Sequence, residues 1–392
     1  MSTVTKERIN KLIDKYIDKT IKLRHRIHKY PETGHNEFKT CELIRSTLSD
    51  LNINVLPPFL KTDTVAILNK EKTEKNVTLR ADIDALPLCE NTNLQYSSSV
   101  SNMMHACGHD GHTAILLGTA MVLNELKDDI NGSVRFAFQP AEEGFAGGRD
   151  LVDAGAIDAP KADAVFALHG NPGDKTGLIS YRSGVLSTAC AEIKITIEGK
   201  GGHGSCPERS IDPILIATKV IDSLYHIPSR SIDALESIVI SICQIQSGSY
   251  INIIPDTATM SGTIRFFNMD IESEIKSLLH RVIKSVCDMY GATYKLDYKC
   301  DYIPMVNDEK ITAFCNRTLP KYFDEKMIIS NVKPELGSED FSFFQKKAPG
   351  LMFRLGLGEN VPELHSTAFD FNDDAIKDGI LAFTALTLEY LS

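Results

Sequence analysis

The stretch Ala191-Glu-Ile-Lys-Ile-Thr-Ile-Glu198 alternates apolar and polar residues without a break. A period of two puts Ala191, Ile193, Ile195 and Ile197 on one face of a strand. Glu192, Lys194, Thr196 and Glu198 take the other, as in a sheet covered on one side only. Downstream, helical spacing over Pro213–Tyr225 is followed by strand patterns at Ser237–Gln246 and Thr257–Phe266. A helix over Asp270–Tyr290 and a strand at Ala292–Tyr298 come next. The order β-α-β-β-α-β within about 110 residues predicts a ferredoxin-like α+β unit.

Upstream the pattern differs. Ile9, Leu12, Ile13, Tyr16, Ile17, Leu23 and Ile27 recur at helical spacing and predict a first helix over Lys6–Tyr30. Further helices are expected over Glu37–Leu51 and Gly111–Leu126. Short apolar runs at Thr64–Leu68, Val77–Ala81, Ser133–Phe138 and Ala164–Leu168 read as strands of a sheet covered on both faces. Strands and helices of this kind resume after Tyr302. The expectation is an α/β domain, a central mixed sheet flanked by helices, built from residues 1–186 and 303–392. The ferredoxin-like α+β domain is inserted into it at 187–302.

The chain of 392 residues is long enough for two domains. It has 42 Lys plus Arg against 52 Asp plus Glu, a net charge of −10, so a broad basic face for nucleic acid or an anionic membrane is not expected. No apolar run approaches the ~18 residues of a membrane span. The first twenty residues lack the apolar core of a secretory signal, so a cytoplasmic placement is expected. Nine scattered cysteines without a CxxC pair point to reduced thiols.

Five loops hold most of the unusual polar residues. They are Arg80-Ala-Asp82-Ile-Asp84, Met104-His-Ala-Cys107-Gly-His109-Asp-Gly-His112, Gln139-Pro-Ala-Glu142-Glu143-Gly144, Leu168-His169-Gly170 and Glu363-Leu-His365. Open α/β sheets build ligand sites beyond the carboxyl ends of their strands, so these loops are expected to converge. Thiolate, imidazole and carboxylate together are the ligand set of Zn²⁺ and its neighbours. Adjacent side chains after a strand point different ways, so one of Glu142 and Glu143 can bind metal while the other faces substrate as a base.

The stretches LRADIDALPL, MHACGHDGHTA, QPAEEGFAGG, LHG, GKGGHGSCPERSIDPI, INIIPDTATMSGTIR, GSEDFS and ELHST resemble a known family. It is the amidohydrolase branch of the aminoacylase and carboxypeptidase metallohydrolases, with hippurate hydrolase, indole-acetyl-amino-acid hydrolases and N-acetyl-diaminopimelate deacetylase. The resemblance implies metal ligation by Cys107, His109, Glu143, His169 and His365, with Cys107 bridging two divalent ions. Zn²⁺ or Mn²⁺ leads, and Co²⁺ and Ni²⁺ remain open. It implies Glu142 as general base and Asp84 as a support for the metal site. Other branches carry a ligand His where this chain has Asp82. His203 would serve the partner subunit's oxyanion, and Asn252 and Arg265 would hold a substrate carboxylate. The inserted domain would then be a lid and dimerisation domain of a homodimer.

The implied activity is hydrolysis of N-acyl amino acids to a carboxylic acid and an amino acid. Two other readings share these residues: a metallo-carboxypeptidase or dipeptidase on short peptides, and a non-catalytic metal-binding protein on the same scaffold. Among the remaining residues, His25, His28 and His35 read as structural, His105 and His112 as groups that orient ligands, and His226 and His280 as surface. Ser338 reads as a helix N-cap.

Overall fold

A computed structural model describes residues 4–392; the first three residues of the expected 1–186 segment lie outside them. The described residues fall into two compact units. One comprises the chain up to Leu186 with Val306–Pro334 and Asp340–Ser392. The other comprises Ser187–Met305 and Glu335–Glu339. No helix among the described residues is long and apolar enough to cross a membrane.

The first unit has the mixed α/β fold read from the sequence. Its first six strands are β1 (Asn54–Val55), β2 (Thr64–Leu68), β3 (Asn76–Asp82), β4 (Ser133–Gln139), β5 (Ala164–Pro172) and β6 (Ile179–Ser180). They form one sheet in the order β1-β2-β4-β3-β5, then Gly350–Gly358, β6 and Ile328–Ile329. β3 runs parallel to β4 and β5, and Gly350–Gly358 runs parallel to β5. Their carboxyl ends therefore share one edge, with Asp82 opposite Gln139. β2, β3 and β4 are buried throughout, as their apolar runs require.

Helices α1 (Lys6–Lys29), α2 (Phe38–Asp50) and α3 (His109–Glu125) flank this sheet. α3 is buried from His109 to Leu123, and its apolar residues lie on every side. Gly118 on α3 lets the helix Ile376–Tyr390 approach closely, since a Cβ there would sit 2.5 Å from Ile380 Cδ1. Ala at this position would force that helix outward.

A buried polar cluster ties α1 to the start of α3. Arg24 meets Asp110 at 3.1 Å, Asp370 at 2.9 Å and Asp373 at 2.6 Å. His28 lies 2.9 Å from Asp110 and 3.3 Å from Glu90. Burial alone would lower the His28 pKa, but Asp110 and Glu90 outweigh it and raise it to about 9. The folded value lies above the ordinary 6.5, so this stabilisation is complete below pH 6.5 and is lost as pH rises through 9. The loss is expected to be on the order of 3 kcal/mol. Urea denaturation at pH 6.5 and 9.5 checks it: the His28→Gln variant should lack this slope, and an equal slope in both proteins refutes it.

In the second unit, Ala189–Glu198 is a strand with Ala191, Ile193, Ile195 and Ile197 buried and Glu192 and Lys194 exposed. The sheet order is Ile238–Ser247, Thr257–Phe266, Ala189–Glu198, Thr293–Tyr302, all antiparallel. The helices Pro213–Tyr225 and Glu272–Tyr290 bury their apolar residues in the same core. Asp212 caps the first by accepting Ile214 N–H at 2.9 Å, with Pro213 as its first residue. A small ribbon pairs Gly202–His203 with Ile253–Ile254, a pairing that the sequence pattern does not announce.

Candidate active site

The site is built at the shared carboxyl edge of β3, β4 and β5. Asp82 ends β3, and Asp84 follows two residues later. Asp84 reaches two elements at once: its Oδ1 lies 3.2 Å from His109 Nδ1, and its Oδ2 accepts Glu143 N–H at 3.0 Å. Its carbonyl oxygen also accepts from His109 Nδ1 at 2.9 Å. His109 Nδ1 is thereby engaged as a donor, and Nε2 is buried without a hydrogen-bond partner on the side where Cys107 stands. A buried, unpartnered nitrogen costs roughly 1–3 kcal/mol, and a bound cation removes that cost.

Cys107 stands just before α3, with Gly108 in the left-handed region at φ 84°. Its Sγ lies 3.5 Å from His169 Nε2, while His169 Nδ1 donates to Gly170 O at 2.8 Å. Burial pushes the Cys107 thiol up, but His109 and His169 outweigh it and bring it down to about 7. His365 has a left-handed backbone at φ 61°, and its N–H donates to Ala106 O at 2.8 Å. Its Nε2 lies 3.2 Å from Glu143 Oε1. The neighbouring Cys107 and Glu143 side chains raise the His365 pKa to about 10 despite burial.

Of five groups whose ligand atoms lie within 4.8 Å of one another among the described residues, three hold the expected ligands: Cys107 with His109 and His169, Cys107 with Glu143 and His365, and His109 with Glu142 and Glu143. Cys107 belongs to two of them, so its thiolate can bridge. The donor set of one thiolate, three imidazoles and a carboxylate fits divalent ions of the zinc type.

Asp82 is a support. It is fully buried and accepts from Arg80 Nη1 at 2.8 Å, and it lies 2.7 Å from His112 Nδ1. His112 Nε2 in turn accepts Gly170 N–H at 2.8 Å, so both ring nitrogens are used and His112 fixes the backbone beside His169. Burial lowers its pKa to about 4. Arg80 also donates to Gln139 and Asp340, each at 2.8 Å, and Asp340 accepts Gly148 N–H at 2.6 Å. The roles of Arg80, Gln139 and Asp340 were not evident from the sequence. The available signal was an arginine inside the otherwise apolar run of β3.

The second unit carries the other expected residues. His203 is exposed, and its Nδ1 accepts Ser205 N–H at 3.1 Å, which leaves the ring proton on Nε2. Asn252 directly precedes Ile253–Ile254 of that ribbon, its carbonyl accepting Gly204 N–H at 2.8 Å. Arg265 stands between Cys190 and Val239 in the sheet and donates to Ser338 Oγ at 3.0 Å. Ser338 is therefore not an N-cap: the helix Ser342–Lys347 starts after Phe341 and has no side-chain cap.

The model of peptidase family M20/M25/M40 matches residues 78–389. The chain belongs to this family. Across family M20, the chain is 39% identical over 381 residues to thermostable carboxypeptidase 1 of Saccharolobus solfataricus, covering 95% of each. It is 34% identical over 372 residues to hippurate hydrolase of Campylobacter jejuni, covering 94% of this chain and 96% of that one. A Bacillus subtilis crystal structure described as a dinuclear metal-binding peptidase of family M20 superposes with a TM-score of 0.83 at 31% identity. That alignment covers 96% of this chain and 99% of the other. Membership in family M20 makes the chain a hydrolase of amide bonds, and the likeness to hippurate hydrolase is consistent with the amidohydrolase-branch resemblance.

The Asp84 geometry carries a prediction. Asp84→Asn removes the carboxylate charge 3.2 Å from His109 Nδ1 and can keep only one oxygen, which is needed for Glu143 N–H. Metal affinity or kcat should fall roughly 10–100-fold. Metal titration with a competing chelator checks this; unchanged affinity and unchanged kcat would refute it.

Proposed function

We propose that the chain is a binuclear metal-dependent amidohydrolase that cleaves N-acyl amino acids to a carboxylic acid and a free amino acid. One observation carries the reading: Glu142 and Glu143 follow β4 side by side, each with a carboxylate oxygen within 4.8 Å of a His109 ring nitrogen. Glu143 contacts His365 and receives support from Asp84, while Glu142 is buried beside it.

Bound divalent ions supply acidity to a water molecule and polarise the amide carbonyl. The chain's own residues do the rest. Cys107, His109, Glu143, His169 and His365 hold the ions. Glu142 takes the proton of the attacking water and returns it to the departing amine. Arg265 and Asn252 grip the free carboxylate of the substrate, the former through its forked guanidinium. His203 offers its Nε2–H to the developing oxyanion in the partner subunit's site, and the Ser205 contact supports that tautomer.

The reading includes a homodimer through the inserted domain. Its support is the open edge strand Ile238–Ser247 and the exposed Tyr250, Ile251 and Ile253. A monomeric mass by sedimentation removes this part.

The identity to a carboxypeptidase favours a second reading, cleavage of short peptides with a free C-terminus. A panel of N-acetyl and N-benzoyl amino acids beside dipeptides separates the two. Turnover of dipeptides alone overturns the first reading. Metal binding without turnover of any member overturns both and points to a non-catalytic protein. Metal content by elemental analysis identifies the ion.

A further inference from the structure

The segment Glu32–Glu37 runs along the edge of the site, just ahead of α2. Ala85, next to Asp84, donates its N–H to Glu32 O at 2.8 Å, and Thr33 bridges Ala85. Gly34 allows a close approach: a Cβ there would lie 2.9 Å from Phe145 Cδ2 and 3.2 Å from Ala141 Cα. The segment thus packs against the turn that bears Glu142 and Glu143.

Glu37 is the N-cap residue of α2, yet its side chain makes no capping bond there. Glu32 serves that end instead, accepting from Lys39 N at 3.2 Å and Thr40 N at 2.9 Å. The Glu37 carboxyl turns inward, is fully buried, and accepts Ala141 N–H at 2.8 Å. Ala141 has a left-handed backbone at φ 57°, an unfavourable conformation for a residue with a Cβ. Glu142 follows directly on this bend, and the next two residues leave helical geometry.

We propose that Glu37 is a positioning residue: its carboxyl holds the Ala141 N–H and so sets the bend from which the base Glu142 and the ligand Glu143 project. The roles of Glu142 and Glu143 are those of the proposed function. Burial, with Asp84 nearby, pushes the Glu37 carboxyl up to about 7, so a neutral acceptor is compatible with the site. Gln keeps an oxygen at the same reach; Asp and Ala do not.

Full-length Glu37→Gln, Glu37→Asp and Glu37→Ala test the assignment through kcat, KM, thermal midpoint and Zn²⁺ affinity against a chelating indicator. Glu37→Gln should stay within about threefold of the parent in kcat and Zn²⁺ affinity, while the other two lose roughly 10–100-fold in both with KM little changed. If Glu37→Ala does not fold, Glu37→Asp against Glu37→Gln decides. The proposal is overturned if Glu37→Gln falls as far as Glu37→Asp, or if Glu37→Asp retains both kcat and affinity. The Zn²⁺ arm decides even if the parent hydrolyses none of the N-acyl amino acids. That result refutes the proposed substrate class and leaves the Glu37 assignment to stand or fall separately.

Discussion

Glu142→Gln is expected to lower kcat roughly 10²–10⁴-fold while KM and metal content stay near those of the parent. Gln matches Glu in size and keeps a hydrogen-bonding head group, so packing around this nearly buried side chain changes little. What it loses is the capacity to accept a proton. Glu143 keeps its Asp84 contact in the variant, because that bond is made by the Glu143 backbone N–H. Glu142 lies in the group with His109 and Glu143 and in neither group that contains Cys107, so the ligands around Cys107 are left intact. Loss of turnover with retained metal is therefore the signature of a base. Parallel loss of metal would assign Glu142 to ligation, and full activity would remove it from the mechanism.

The second large effect is metal removal. Dialysis against a chelator should abolish hydrolysis and lower the thermal midpoint, and a divalent ion should restore both. The stability part follows from charge. His109 and His169 bring the Cys107 thiol down to about 7, and His365 and His109 hold Glu143 below the ordinary carboxylate range against its burial, so the side chains that would receive an ion are predisposed to the anionic form. An ion that binds only the folded chain adds about 4 kcal/mol when its free concentration is 1,000 times Kd. Differential scanning calorimetry with and without ion reads this directly. A midpoint indifferent to metal, or hydrolysis that survives its complete removal, would contradict the ligand assignment.

The legibility of the fold varied with local physics. Ala191–Glu198 was readable because one face meets helices and the other meets water, so burial and alternation coincide. α3 was harder. It is buried on all sides, so no polar stripe marks it, and its start at His109 precedes the expected Gly111 because His109 and Asp110 are polar yet enclosed. β5 runs on to Pro172, past the expected end at Leu168, since His169–Pro172 pair with Gly350–Gly358 despite their polarity. The loops bearing Cys107, His109, Glu143, His169 and His365 were legible as chemistry, and the structure brings their side chains together. The Arg80–Asp340 contact was not, because a single sequence records no pairing between residues so far apart.

The placement of Gly350–Gly358 between β5 and β6 bears on how the chain is made. On a ribosome, β5 emerges long before the strand that covers its flank, and α3 emerges long before Ile376–Tyr390 can pack on Gly118. The second unit lies almost wholly within Ser187–Met305 and can close earlier. The first unit therefore carries the higher contact order and exposes apolar strand edges during synthesis. Nascent chains stalled before Gly350 should protect the second unit from proteolysis while leaving β5 and α3 open to it.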